Sequence, residues 1–233
     1  ALVIATTGFT PYTPKAIAVQ DARPGMQSIG PLAFGPNDVL FAADTQGATI
    51  YALELGASAK GGAAGAIDIP QIDQKIAALL GTDAAAITVT DLAVHATTKN
   101  AFIAVMRGQG ADAKPGLIRV DGAGQLQAVA LDTLKHTKAA LPNAPEANTT
   151  GRRNPRADSI TDMSFVNGQL VVAGLSNEEF ASKLRTLAYP FATVEPGTSV
   201  EIRLYVVLDE LPAVPLEPVA HERRVWTGRR AEQ

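Results

Sequence analysis

One strand–turn–strand pattern occurs three times in this chain, and no other feature constrains the fold as much. The first copy is SIGPLAF at 28–34, a turn, then VLFAAD at 39–44. The second is TVTDLAV at 88–94, a turn, then AFIAVM at 101–106. The third is SITDMSF at 159–165, the turn Asn167-Gly168, then QLVVAG at 169–174. Leu32, Leu92 and Met163 share one position of the pattern. Ala33, Ala93 and Ser164 share the next, and Phe34, Val94 and Phe165 the one after. Such a repeat is read first, because it decides the fold class.

Each pair of runs reads as two strands, being short, rich in β-branched and aromatic residues, and bounded by turn chemistry. Asn167-Gly168 is a strong hairpin signal, because both residues tolerate the positive φ of a type I′ turn. A third strand is expected in each unit at 49–53, 117–120 and 184–187. A fourth is expected at 66–69, 126–131 and 199–204. The chain therefore divides into a lead-in at 1–27, four-stranded units at about 28–69, 88–131 and 159–204, and a tail rich in proline and arginine at 209–233.

Four antiparallel strands in sequence, with small residues such as Ala42, Ala43, Ala93, Ala104 and Ala173 on inner strands, describe a β-propeller blade. The stretch GPLAFGPNDVLFAADTQGATIYAL resembles blades of the NHL and YVTN type. It is also similar to the gluconolactonase-like six-bladed group, in which "apolar-apolar-Ala-Asp" ends the second strand, as Phe41-Ala42-Ala43-Asp44 does here. The second and third units depart from this, with Met106 and Gly174-Leu175 at that point. The expected fold is all-β: about three propeller-type blades in an incomplete ring, with short helical insertions. Propellers typically close with four to eight blades, and an open array exposes strand edges. Association with further blades, or self-association, is expected.

The totals bound the function. The 233 residues are 46% hydrophobic and 18% charged, with a net charge of −3. A core can be built, and the strongly basic face of a nucleic-acid binder is missing. Without cysteine there are no disulfides or thiolate metal ligands. No run reaches the roughly 18 apolar residues of a membrane helix. Ala16-Ile17-Ala18 has the small-x-small form of a signal-peptidase site, and an extracytoplasmic protein, periplasmic or secreted, is expected.

Connections in an up-and-down unit alternate between the two ends of its sheet. One end receives the plain links 35–38, 56–63, 96–100, 121–124 and 167–168, together with 188–197. The other receives 45–48 and the long links 70–87, 107–116, 132–158 and 175–183, so candidate binding residues belong there. Within these links, 72–80 has helical spacing, with Ile72, Ile76, Leu79 and Leu80 on one face. Residues 177–184 also suggest a short helix, with Ser176 as N-cap.

The ligand-binding candidates are Asp44, Arg107, Arg152, Asn177 and Glu178. Arg107, Arg152, Arg153 and Arg156 can either solvate the loops or receive an anionic ligand or an acidic partner surface. Two roles are open to Asp44. It can cap the turn 45–47 through its side chain. Alternatively, the gluconolactonase resemblance implies a divalent cation at this end, calcium or zinc, held by Asp44, Asp158, Asn177 and Glu178, with Asp112 a further partner. Asp91 and Asp162 match in position, where the first unit has Pro31, and are expected to bond between neighbouring units, with a catalytic pair the alternative. His95, His136 and His221 show no ligand spacing and read as surface side chains. Trp226 among Arg223, Arg224, Arg229 and Arg230 offers charge and stacking to nucleic acid, but Glu222 and Glu232 dilute this, and the expected reading is a weakly ordered tail that does not bind nucleic acid.

No nucleophile or phosphate-loop motif stands in a strand–turn–helix setting. The expected function is a non-catalytic binding or scaffold module without a cofactor. The alternative implied by the resemblance is a metal-dependent lactonase- or esterase-like hydrolase.

Overall fold

A computed structural model describes residues 25–61, 67–141, 144–147, 154–176, 182–191 and 198–200. The chain divides into compact units at 1–202 and 203–233, and every described residue lies in the first. The strands are β1 (Leu32–Phe34), β2 (Val39–Asp44), β3 (Thr49–Glu54), β4 (Ile87–Val94), β5 (Ala101–Arg107), β6 (Lys114–Val120), β7 (Leu126–Val129), β8 (His136–Ala140), β9 (Asp162–Val166), β10 (Gln169–Leu175), β11 (Ser182–Ala188) and β12 (Thr198–Val200). One α-helix, α1 (Ile72–Leu80), is described with them. The strands form three antiparallel four-stranded sheets. Sheet I is β1-β2-β3-β8, sheet II is β4-β5-β6-β7, and sheet III is β9-β10-β11-β12.

Burial decides which sheet lies in the middle. Every residue of β2 is buried, so sheet I has an apolar partner on both faces. This is why VLFAAD is nearly continuously apolar instead of alternating. One core joins sheets I and II through Leu32, Leu40, Ala42, Tyr51 and Leu53 on one side and Phe102, Ala104, Leu117 and Val129 on the other. A second joins sheets I and III through Ala33, Phe41, Ala43, Ile50 and Ala52 against Met163, Leu170, Val172 and Leu187. The first strand β1 lies against both β4 and β9. The spatial order is therefore III–I–II, although sheet I comes first in the chain.

The first unit departs from expectation. Residues 67–69 form no strand, Ala66 lies outside the described residues, and β8 supplies the fourth strand of sheet I. The reason is directional. The chain leaves β3 at one end of the sheets and must begin β4 at the other, and α1 makes that crossing. Of the expected apolar face, Ile76, Leu79 and Leu80 are buried and Ile72 is partly buried beside them, while Ala77 is buried as well. It lies over sheet II, against Ile103, Val105, Ile118 and Val120, and is not part of an end loop. Gly81, at φ 67°, ends it: Thr82 N–H donates to Ala77 O at 3.0 Å and Gly81 N–H to Ala78 O at 3.3 Å, a Schellman cap.

The turns follow their chemistry. Asn167 and Gly168 have φ of 51° and 82°, as a type I′ hairpin requires. Of the helix expected over 177–184, residues 177–181 lie outside the described part. Residues 182–184 begin β11, where pairing with Leu175, Gly174 and Ala173 of β10 overrides helical spacing. Residues 1–24 of the lead-in and the Trp226 tail also fall outside the described residues. Among the described residues, no helix is long and apolar enough to cross a membrane.

Candidate functional site

The long-loop end is built around Asp44, the last residue of β2. Its side chain is fully buried, and four donors of the chain converge on it. Gln27 N–H donates to Oδ2 at 2.9 Å. Oδ1 accepts from Ser28 N–H at 3.0 Å, Ser28 Oγ–H at 2.9 Å and Gly47 N–H at 2.9 Å. A buried carboxylate needs such donors to offset its lost hydration. Ser28 Oγ also accepts from Gln46 N–H at 3.0 Å and lies 3.1 Å from Thr45 Oγ1. Position 47 has to be glycine, because a Cβ there would run into the Asp44 carboxylate. Asp44 thus caps its turn and also ties the entry segment to β2.

Arg156 approaches the same turn from the segment leading into sheet III. Its Nε donates to Gln46 O at 2.9 Å, Nη2 to Gly47 O at 3.1 Å and Nη1 to Pro145 O at 3.1 Å. It sits in a 3₁₀ turn, Pro155–Asp158, which Asn154 Oδ1 caps by accepting from Arg156 N–H at 3.2 Å. Asp158 closes this turn and is half-buried. Arg107 ends β5, and its Nη1 donates to Leu80 O at 3.2 Å, on the last turn of α1. Asp112 is exposed in a neighbouring 3₁₀ turn.

The structure therefore brings Asp44 and Arg156 to one turn, with Asp158 on the same segment as Arg156, and anchors Arg107 to α1. Arg152, Asn177 and Glu178 lie outside the described residues. Among the described residues, no three His, Asp or Glu side chains gather to hold a metal ion. Tyr51, buried near this end, has its phenol pushed above the usual value, first by burial and then by the charge of Asp44.

The opposite end holds a residue that sequence reasoning misplaced. His95 is buried, not a surface side chain. Its Nδ1 accepts from Thr98 N–H at 3.1 Å, which leaves the proton on Nε2 to bond Asp38 Oδ1 at 2.9 Å. The Phe34 ring packs on it at right angles, with the ring centroids 4.9 Å apart. This latch fastens the β1–β2 turn of sheet I to the β4–β5 loop of sheet II. Nothing in the sequence around His95 marks Asp38 as its partner, because the two meet only once the sheets have stacked.

Asp91 does bond between units: Leu32 N–H donates to its Oδ2 at 2.7 Å. Asp162 does not, and its Oδ1 accepts from the adjoining Met163 N–H at 2.7 Å. No known protein family, curated protein or solved structure matches the chain.

Proposed function

We propose that this chain is a non-catalytic, propeller-type binding module that takes an acidic ligand or an acidic protein surface at its long-loop end. The propeller reading is supported by three face-to-face antiparallel sheets whose first strands adjoin, β1 lying against β4 on one side and β9 on the other. The observation that carries the binding reading is the state of two guanidinium groups. Arg107 and Arg156 are held in place by backbone carbonyls, and among the described residues neither forms an ion pair. Carbonyl partners orient a guanidinium without cancelling its charge, so the charge remains available to a carboxylate or phosphate. The Asp44 and Arg156 clasp joins segments of two sheets into one platform, so little ordering is left to do on binding.

Titration of ¹⁵N-labelled protein with a glutamate-rich peptide tests this reading. Amide shifts are expected at 45–48, 107–113 and 154–159, with 35–38 and 96–100 unmoved. Shifts at the Asp38–His95 end instead, or none anywhere, overturn it.

A further inference from the structure

Both internal interfaces of the stack follow one rule. On each first strand, alternate residues form a bulky face and a small or acidic face. In β1 these are Leu32 with Phe34, and Ala33. In β4 they are Leu92 with Val94, and Asp91 with Ala93. In β9 they are Met163 with Phe165, and Asp162 with Ser164. The bulky face of sheet I meets the small face of sheet II, where Leu32 N–H donates to Asp91. The bulky face of sheet III meets the small face of sheet I at Ala33.

Two halves are left without a mate, one at each end of the stack, and they are complementary. Sheet II presents the bulky side of β4, and sheet III presents the small, acidic side of β9. Val89, Leu92 and Val94 are 51%, 53% and 51% exposed, and Val166 is 49% exposed. These are four of the five exposed large apolar residues among those described. Asp162 stands where Asp91 stands, on the open side. β4 and β9 are both edge strands of their sheets, whose outward N–H groups no strand pairs. Helix α1 covers the bulky face over β5 to β7 and Ile87 at the start of β4, and leaves Val89, Leu92 and Val94 exposed.

We propose that a second copy of this chain docks its Val89, Leu92 and Val94 strip on the Asp162, Ser164 and Val166 face of sheet III. Its Leu92 N–H donates to Asp162 as Leu32 N–H does to Asp91. The contact is head to tail, and two copies make it twice to close a ring of six sheets. The inference rests on the propeller-type reading for the closure and on the repeated interface for the contact. Since α1 confines each contact to the first strands, it is small, and association is expected at roughly micromolar to tens of micromolar protein.

Sedimentation velocity and light scattering over that range test it, with Leu92→Asp, which sets two carboxylates against each other in the contact, and Asp162→Arg, which removes the acceptor. Both positions are exposed, and circular dichroism verifies that each variant is folded. The wild type is expected to be a dimer that grows no further, and each variant a monomer. An equimolar mixture of the two variants should restore the dimer, because one contact is then the native Leu92–Asp162 pair and the other sets the introduced aspartate against the introduced arginine with opposite charges. A wild-type monomer, a Leu92→Asp variant that still dimerises, or open growth to larger species overturns the proposal. A wild-type monomer that still shows the loop-end peptide shifts removes this inference and leaves the binding reading standing.

Discussion

Asp44 shows how one side chain can organise an end of the molecule. Its carboxylate serves N–H groups from the entry segment and from the turn it ends. Asp44→Ala orphans these donors in a buried place, so a loss of about 3 kcal/mol or more is expected in urea unfolding. An unchanged midpoint would show that the donors find water instead. Both oxygens already being engaged, calorimetric titration with Ca²⁺ or Zn²⁺ is expected to show no binding through Asp44. Heat that disappears in Asp44→Asn would contradict this. Tyr51 supplies a pH dependence. Its folded-state phenol titrates above the unfolded value of 10.0, so its contribution is fully present below that pH and is lost as pH rises through the higher folded value. Stability measured between neutral and strongly alkaline pH should therefore fall less steeply in Tyr51→Phe than in the wild type. Asp44 as a turn cap was legible, because Asp before Thr-Gln-Gly carries local chemistry. Ser28 and Arg156 were not, because they reach that turn only through tertiary folding.

The strands of the repeat were legible as elements wherever local pattern and turn chemistry agreed. VLFAAD became β2 with the expected ends, and Asn167-Gly168 turned as its two residues allow. The failures occurred where direction along the chain mattered more than pattern. Residues 67–69 alternate like a strand, but they lead into a helix that must carry the chain from one end of the sheets to the other. The matched aspartates separate repeat from context. Asp91→Ala removes a charged acceptor from between two sheets and is expected to cost about 1–3 kcal/mol. Asp162→Ala, exposed and locally bonded, should stay within about 0.5 kcal/mol in dilute protein, measured the same way. Equal losses would mean that Asp91 does not act between sheets. Gly81→Ala places a side chain in the left-handed region at the end of α1 and should cost about 1 kcal/mol.

For the described unit as a whole, the order III–I–II makes the first-encoded sheet the most enclosed one. In dilute protein, native-state hydrogen exchange should therefore find the slowest amides in β2, opening near the global unfolding free energy, and faster ones in the edge strands β4 and β9. Comparable protection in β4 and β2 would argue that the outer side of sheet II is covered in solution. This order could not be read from the repeat alone, because blades in sequence suggest neighbours in sequence. What displaced them is β8, which returns to sheet I after all of sheet II has been built.

That return has a further consequence. Glu54 N–H donates to Lys135 O at 2.9 Å, so the chain leaves sheet I and re-enters it at almost the same point. Topologically, β3 and β8 are the two arms of a single hairpin, and residues 56–134, with sheet II and its helix, are the loop at its tip. A cassette whose two ends touch can be lengthened, exchanged or removed without rethreading any other strand. The joint between Glu54 and Lys135 is thus the place in this chain where new material can be spliced in with the arms left as they are.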